Sequence, residues 1–206
     1  RLTQLGILRD DPFAANAVNK SLRIILEHAI TLGHDQITER ESHFEEFCPG
    51  WIWEGPLAGK PGRDHLSRAA SAKAGLGILA PEEAIYPFAY VDDRNESLSG
   101  TRNYRLTVPA EGLRQAKYSW SFTVYKLPQY QLVKNPIDRY SWGNTSAGKR
   151  WGGNVELALQ SDRPADQTSN WLPTPKSGNF VVAFRMFGPS EAMVQGRHPL
   201  PRIMRV

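Results

Sequence analysis

From Tyr118 to Val124 the chain alternates in strict period two: Tyr118, Trp120, Phe122 and Val124 are large and apolar, while Ser119, Ser121 and Thr123 between them are small and polar. Only an extended strand sends successive side chains to opposite faces, so this stretch demands a sheet with one face in a core. Val155, Leu157 and Leu159 alternate with Glu156 and Gln160 in the same way. Further strands are predicted over 84–91, 102–108, 129–134 and 179–187, and Asn95 to Gly100 reads as the turn joining the first two. Many short strands separated by Gly, Pro and Asn predict an α+β chain that is mainly β. The expected architecture is an antiparallel jelly-roll-like β-sandwich over 64–206, preceded by an N-terminal helical subdomain over 1–63.

The helical part starts at Asp10-Asp11-Pro12, acidic caps ahead of a proline whose fixed φ suits a first helical turn. Val18, Leu22, Ile25, Ala29 and Leu32 recur at 3/4 spacing, which predicts a stripe facing a core, with Gly33 as the stop. A second, acidic helix is expected over 35–47, with Ile37, Phe44 and Phe47 inward and Glu39, Glu41, Glu45 and Glu46 as a solvated face. Residues 48–63 read as a Gly/Pro loop carrying Trp51 and Trp53. A third helix fits 64–74, capped by Asp64 and stopped by Gly75, with Ala69, Ala70 and Ala72 small enough for close packing on a sheet.

Charge and cysteine narrow the function classes. Residues 1–47 hold five Lys/Arg against eight Asp/Glu, and the remainder twenty against thirteen, so the net +4 sits on the β part. That surplus suits anionic ligands or surfaces. The basic residues are scattered along strands and turns, without the clustered module of a nucleic-acid binder, and none is expected as a partner. No apolar run approaches the roughly eighteen residues of a membrane span. Residue 1 is Arg with no signal-peptide pattern behind it, so the sequence reads as a mature product or a fragment. Cys48 is the single cysteine, which excludes an internal disulfide and a multi-thiolate zinc site; it reads as a small buried hydrophobe rather than a nucleophile partnered by His43.

A series of short motifs in order carries a family resemblance. Asp64-His-Leu-Ser-Arg68-Ala-Ala, Ala74-Gly75-Leu-Gly77 and Pro81-Glu-Glu83-Ala-Ile-Tyr86 open it. Gly100 before Tyr104-Arg-Leu, Trp120-Ser-Phe-Thr-Val-Tyr125 and Asn135-Pro-Ile-Asp-Arg139-Tyr140 continue it. Ser169-Asn-Trp-Leu-Pro173, Phe184-Arg185-Met-Phe187 and Pro201-Arg-Ile-Met-Arg-Val206 close it. Together they resemble the bacterial domain of unknown function 1214, commonly the C-terminal half of proteins whose N-terminal half is domain of unknown function 1254. Leu5-Gly6-Ile7 with Pro12-Phe13 looks like the link between the halves. The resemblance implies a jelly-roll-like β domain of exported or envelope-associated proteins, and it supplies no catalytic residues.

Familiar catalytic patterns fail on context. Gly143-Asn-Thr-Ser-Ala-Gly148-Lys149 nearly spells a phosphate loop, but Arg150 stands where Ser or Thr would hold magnesium, and no strand–loop–helix surrounds it. Gly75-Leu-Gly77 follows a helix rather than a strand, against a dinucleotide fingerprint. His28, His34, His43, His65 and His198 form no pair at metal-ligand spacing, no Gly-x-Ser-x-Gly elbow exists, and no cofactor is called for. Glu83 and Asp92, or Glu82 and Asp92, are weak candidates for a carboxylate pair in glycoside hydrolysis. The remaining constellation is polar and aromatic. Arg185 shares its strand face with Val181, Ala183 and Phe187, so its charge needs a partner, either an internal carboxylate such as Glu83 or Asp138 or an anionic ligand. Arg185 or Arg139 would clamp the anion, and Tyr86, Tyr125, Tyr140, Trp120 and Trp171 would wall the pocket. Asn170-Trp171-Leu172-Pro173 reads as a loop latch. The favoured expectation is an envelope-type β module binding a small anionic, sugar-like or amphipathic ligand without independent catalysis. The alternatives are a hydrolase active only with an N-terminal partner domain, and a protein that oligomerises through exposed Trp51, Trp53 and Trp151.

Overall fold

The computed structural model describes residues 18–41, 43–144, 153–165 and 170–206. The expected helix start at Asp10-Asp11-Pro12, the link at Leu5-Gly6-Ile7, most of the phosphate-loop mimic, Trp151 and Ser169 lie outside them. In chain order the elements are α1 (Lys20–Glu41), β1 (Glu45–Cys48), β2 (Trp51–Trp53), α2 (His65–Ala74), β3 (Ala84–Ile85), β4 (Phe88–Ala89) and β5 (Tyr104–Val108). There follow α3 (Ala110–Leu113), β6 (Ala116–Lys126), β7 (Gln131–Leu132), β8 (Ser141–Gly143), β9 (Val155–Gln160), β10 (Asn170–Pro173), β11 (Phe180–Pro189), α4 (Glu191–Val194) and β12 (Met204–Arg205).

The strands form an eight-stranded sheet in the order β1-β2-β4-β11-β6-β7, with β3 also paired to β11 and β8 to β6, and a four-stranded sheet in the order β10-β9-β5-β12. The spine is the antiparallel β11–β6 ladder, which runs from Phe180↔Lys126 to Phe187↔Ser119 before a register shift at Gly188. Its even-numbered residues face inward as the alternation predicts. Trp120, Phe122 and Val124 meet Phe180, Val182, Phe184 and Met186, and the Phe122 and Phe184 ring centroids lie 4.8 Å apart. Leu106, Val108, Leu157 and Leu159 from the four-stranded sheet complete the same core. Tyr118, expected inward with its strand-mates, is instead two-thirds exposed. It lies over Gly188, whose φ of +62° and contact with the ring leave no room for a Cβ.

Several expectations in the helical part are corrected. Gly33 does not stop the first helix; α1 runs through it to Glu41. An interior glycine costs only about 1 kcal/mol, and residues 34–41 contain no proline to enforce the break. The second helix expected over 35–47 is not a separate element: 35–41 complete α1, and its last residues form β1, paired to β2 across a turn in which Gly50 sits at φ +85°. Trp51 and Trp53 are therefore strand residues inside the core, not loop residues, and Trp51 Nε1 donates to the Pro201 carbonyl at 3.0 Å. The predicted core-facing stripe of α1 is bare. None of its residues is buried, and Ile24, Ile25, Ile30 and Leu32 are more than half exposed. The third helix matches its prediction, with Asp64 accepting from the Ser67 N–H and Gly75 closing it. Asn170–Pro173, read as a latch, is β10, which pairs with β9 in parallel and so departs from the antiparallel expectation.

A buried ion pair clamps the C-terminal strand. Asp92 is fully buried and accepts from the Arg94 and Glu96 backbone N–H groups at 2.9 and 3.0 Å and from Arg205 Nε at 2.8 Å. Arg205 also reaches Glu96, and its own backbone N–H donates to Asp93 Oδ1. Burial pushes the Asp92 carboxyl up, but these donors outweigh it and hold the group below the usual carboxylate range. Asp92 is thus committed to structure, and Glu82 is exposed and paired with Lys60, so neither carboxylate pair proposed for glycoside hydrolysis exists as a cleft. A depressed carboxyl contributes stability that is complete above the unfolded-state value near 3.9 and lost as pH falls through the folded-state value. Replacing Asp92 with Asn should cost about 3 kcal/mol in urea unfolding at pH 7. The gap to the parent should narrow as pH drops below about 4.

Candidate functional site

The outward face of the β11–β6 ladder carries the odd-numbered residues, and there the chain builds a cavity of about 300 Å³. Its walls are Tyr86, Phe88, Tyr125 and Tyr130, its rim is the Ala74–Ile78 segment leaving α2, and Arg185 is the sole charged residue lining it among those described. Arg185 is set by register: it stands opposite Ser121 on β6, two residues along from Ala183 opposite Thr123.

The guanidinium is part-buried and held on two sides. Nη1 donates to Thr123 Oγ1 at 3.0 Å, Nη2 donates to the Tyr125 hydroxyl at 2.7 Å, and the carbon at the fork's centre lies 5.5 Å from the Tyr125 ring centroid. No carboxylate lies within 4.0 Å of it among the described residues. The internal ion pair expected with Glu83 or Asp138 is therefore not formed; Glu83 is exposed, and Asp138 accepts from the Tyr140 hydroxyl. A guanidinium carries five N–H donors, and among the described residues two of them meet protein, so the rest of the fork is available to an anion.

The aromatic walls are fixed by strand parity and one strained turn. Tyr86 directly follows β3, Phe88 lies in β4 and Tyr90 directly follows it, and Tyr86 meets Phe187 edge-on with centroids 6.2 Å apart. The Tyr90 and Tyr130 hydroxyls hydrogen-bond at 2.9 Å. Tyr130 sits at φ +53°, a left-handed conformation rare for a bulky side chain. Burial pushes the Tyr86 and Tyr90 phenols up, so both stay protonated as donors at neutral pH.

Of the seven residues proposed from sequence to bind a ligand, three converge: Arg185, Tyr86 and Tyr125. The other four lie elsewhere. Arg139 Nη1 donates to the Trp171 carbonyl at 2.9 Å, Trp171 is buried and donates from Nε1 to Gln160 O, Trp120 is in the core between Phe122 and Trp142, and Tyr140 bonds Asp138. Phe88 and Tyr130 were not anticipated. Phe88 has the parity of Tyr86 in its strand, which was a usable signal; Tyr130 reaches the cavity through its positive φ, which no spacing rule encodes.

Two further titratable groups stand out, one buried and one part-buried. Cys48 donates weakly to the Leu200 carbonyl, and burial pushes its thiol up to about 11, which keeps it inert as a nucleophile. Glu54 accepts from Ser71 through Oε2, while its Oε1 is buried without a partner, and burial pushes this carboxyl up. Among the described residues, no group of three His, Cys, Asp or Glu side chains stands where a metal ion would be held, and no helix is long and apolar enough to cross a membrane.

A sequence model of the family described as protein of unknown function (DUF1214) matches residues 83–191, more than half of the chain. The chain belongs to the DUF1214 family. The matched span holds the β11–β6 ladder, Tyr86, Phe88, Tyr125, Tyr130 and Arg185, whereas the rim segment Ala74–Ile78 precedes it. The crystal structure of the VPA0106 protein from Vibrio parahaemolyticus is similar at 23% identity and a TM-score of 0.56, over 68% of this DUF1214 chain and 35% of that one. An uncharacterised protein from Burkholderia cenocepacia is similar at 17% identity and a TM-score of 0.45, over 72% of this chain and 34% of the other. This DUF1214 chain thus spans about a third of the length of those two proteins. No curated protein matches it.

The orphaned Glu54 oxygen yields a signed expectation for the DUF1214 chain. A carboxyl whose folded value is raised loses stability as pH climbs through the unfolded and then the folded value. Glu54→Gln should therefore be more stable than the parent by about 1 kcal/mol at pH 8 and equal to it near pH 4, as read by thermal melts at both pH values.

Proposed function

We propose that this domain binds a small amphipathic anion in the Arg185 cavity and performs no chemistry of its own there. One observation carries the reading: a part-buried arginine, with donors to spare and no carboxylate beside it, faces an open cavity with aromatic walls. Desolvating a guanidinium is costly unless an anion compensates, and its planar fork matches carboxylate, sulfate or phosphate oxygens bidentately. At about 300 Å³ the space stands at the lower end of ligand pockets.

A hydrolytic role for the cavity finds less support. Burial pushes the Tyr86 phenol toward the protonated form, which suits donation to a bound anion and not removal of a proton. Oligomerisation through Trp51 and Trp53 is disfavoured because both rings are in the core.

Thermal-shift and calorimetric titrations with a panel of small carboxylates, sulfates and phosphates test the reading. At least one member should bind the parent. Arg185→Met should weaken that member at least about tenfold, the loss of one charge-assisted contact. Arg185→Lys should recover only part of it, because a point charge replaces the fork. Silence across the panel, or unchanged binding to Arg185→Met, overturns the proposal.

A further inference from the structure

Resting on that binding reading, we infer that the ligand is a monocarboxylic acid carrying a flat ring, and that Tyr130 is the residue that selects the ring. The charge is bounded first. Arg185 is the one charged residue lining the cavity among those described, so a single negative charge is balanced and a dianionic phosphate would leave one charge uncompensated. A planar carboxylate also fits the unbonded donors of a guanidinium already pinned in plane by Thr123 and Tyr125.

Size is bounded next. The cavity of about 300 Å³ holds roughly ten water-sized volumes at about 30 Å³ each, which is enough for one ring plus a carboxyl.

Tyr130 supplies the shape. Four of the ten lining residues are aromatic; Phe88 and Tyr125 are strand residues and Tyr86 directly follows β3. Tyr130 is different. It is held at φ +53° in the turn between β6 and β7, a backbone state that asparagine or glycine would occupy more readily, yet the position carries a large ring. The bond from its hydroxyl to Tyr90 fixes the ring's orientation, while over a third of its surface stays open. A ring so oriented beside an anion clamp offers a face for stacking. A linear chain would bury comparable area but would not gain from ring-on-ring geometry.

Calorimetry on the full chain decides the matter with three probes of similar size: phenylacetate, octanoate and phenyl phosphate. Phenylacetate should bind at least about fivefold tighter than either of the others, the worth of one aromatic pair. Tyr130→Phe, which keeps the ring but loses the bond to Tyr90, should keep only part of that preference. Tyr130→Asn, which accepts the positive φ, should hold the melting temperature of the free protein while abolishing the preference for phenylacetate over octanoate. Equal or tighter binding of octanoate overturns the ring assignment and leaves the anion site standing, whereas tighter binding of phenyl phosphate overturns the monoanion assignment. A loss of melting temperature in Tyr130→Asn with the preference intact overturns the role of Tyr130. Failure of all three probes together with silence across the wider anion panel removes the binding reading itself.

Discussion

Strand β11 is covered on both sides, and the remainder of the molecule is organised around that fact. Phe180 to Phe184 are all fully buried, with even-numbered side chains in the central core and odd-numbered ones buried on the other face. A strand buried on both faces must surrender every backbone polar group to its neighbours, and β11 does so to β6 on one edge and to β3 and β4 on the other. Register is then rigid, because a slip of one residue would drive Arg185 into the aromatic core and expel Phe184 or Met186. The guanidinium emerges where this sealed run gives way to partial exposure, which makes its position a consequence of packing rather than of a mobile loop.

That origin explains why much of the site was legible in the chain and some of it was not. Alternation in Trp120–Val124 and in the closing strand fixed which side chains point inward, and by elimination put Arg185 and Tyr125 on the same outer face. Trp120 and Trp171 were misjudged because size and aromaticity say nothing about which face a residue serves; parity alone would have sent Trp120 inward. Arg139 satisfies a carbonyl, a demand invisible without the neighbouring strand. The acidic run before Cys48 has helix-forming composition, yet the cost of leaving Phe47 and the two following tryptophans outside the core outweighed local propensity and made a hairpin.

The chemistry of the two buried ionic sites differs in a way that separates structure from recognition. Asp92 and Arg205 saturate one another, with backbone amides filling the remaining carboxylate positions, so nothing is left over for a visitor. Arg185 has hydroxyls as its neighbours, which orient a cation without neutralising it. Two arginines of the same chain thus occupy opposite regimes, one closed and one open, and the difference lies wholly in whether a carboxylate stands within reach.

The long helix at the start of the described chain has its own consequence. Its 22 residues extend for about 33 Å, yet they bury no side chain, and its polar contacts to α2 lie near its end, through Arg40 to Ser67 and Lys73 to Thr38 and Glu41. Helices of this length draw most of their persistence from tertiary packing, so its exposed early turns sit at the low end of the molecule's local stability. Amide hydrogens there would trade with solvent by local fraying long before the sheet opened, and a protease would find its first cut among Ile24 to Leu32 while the β body remained whole.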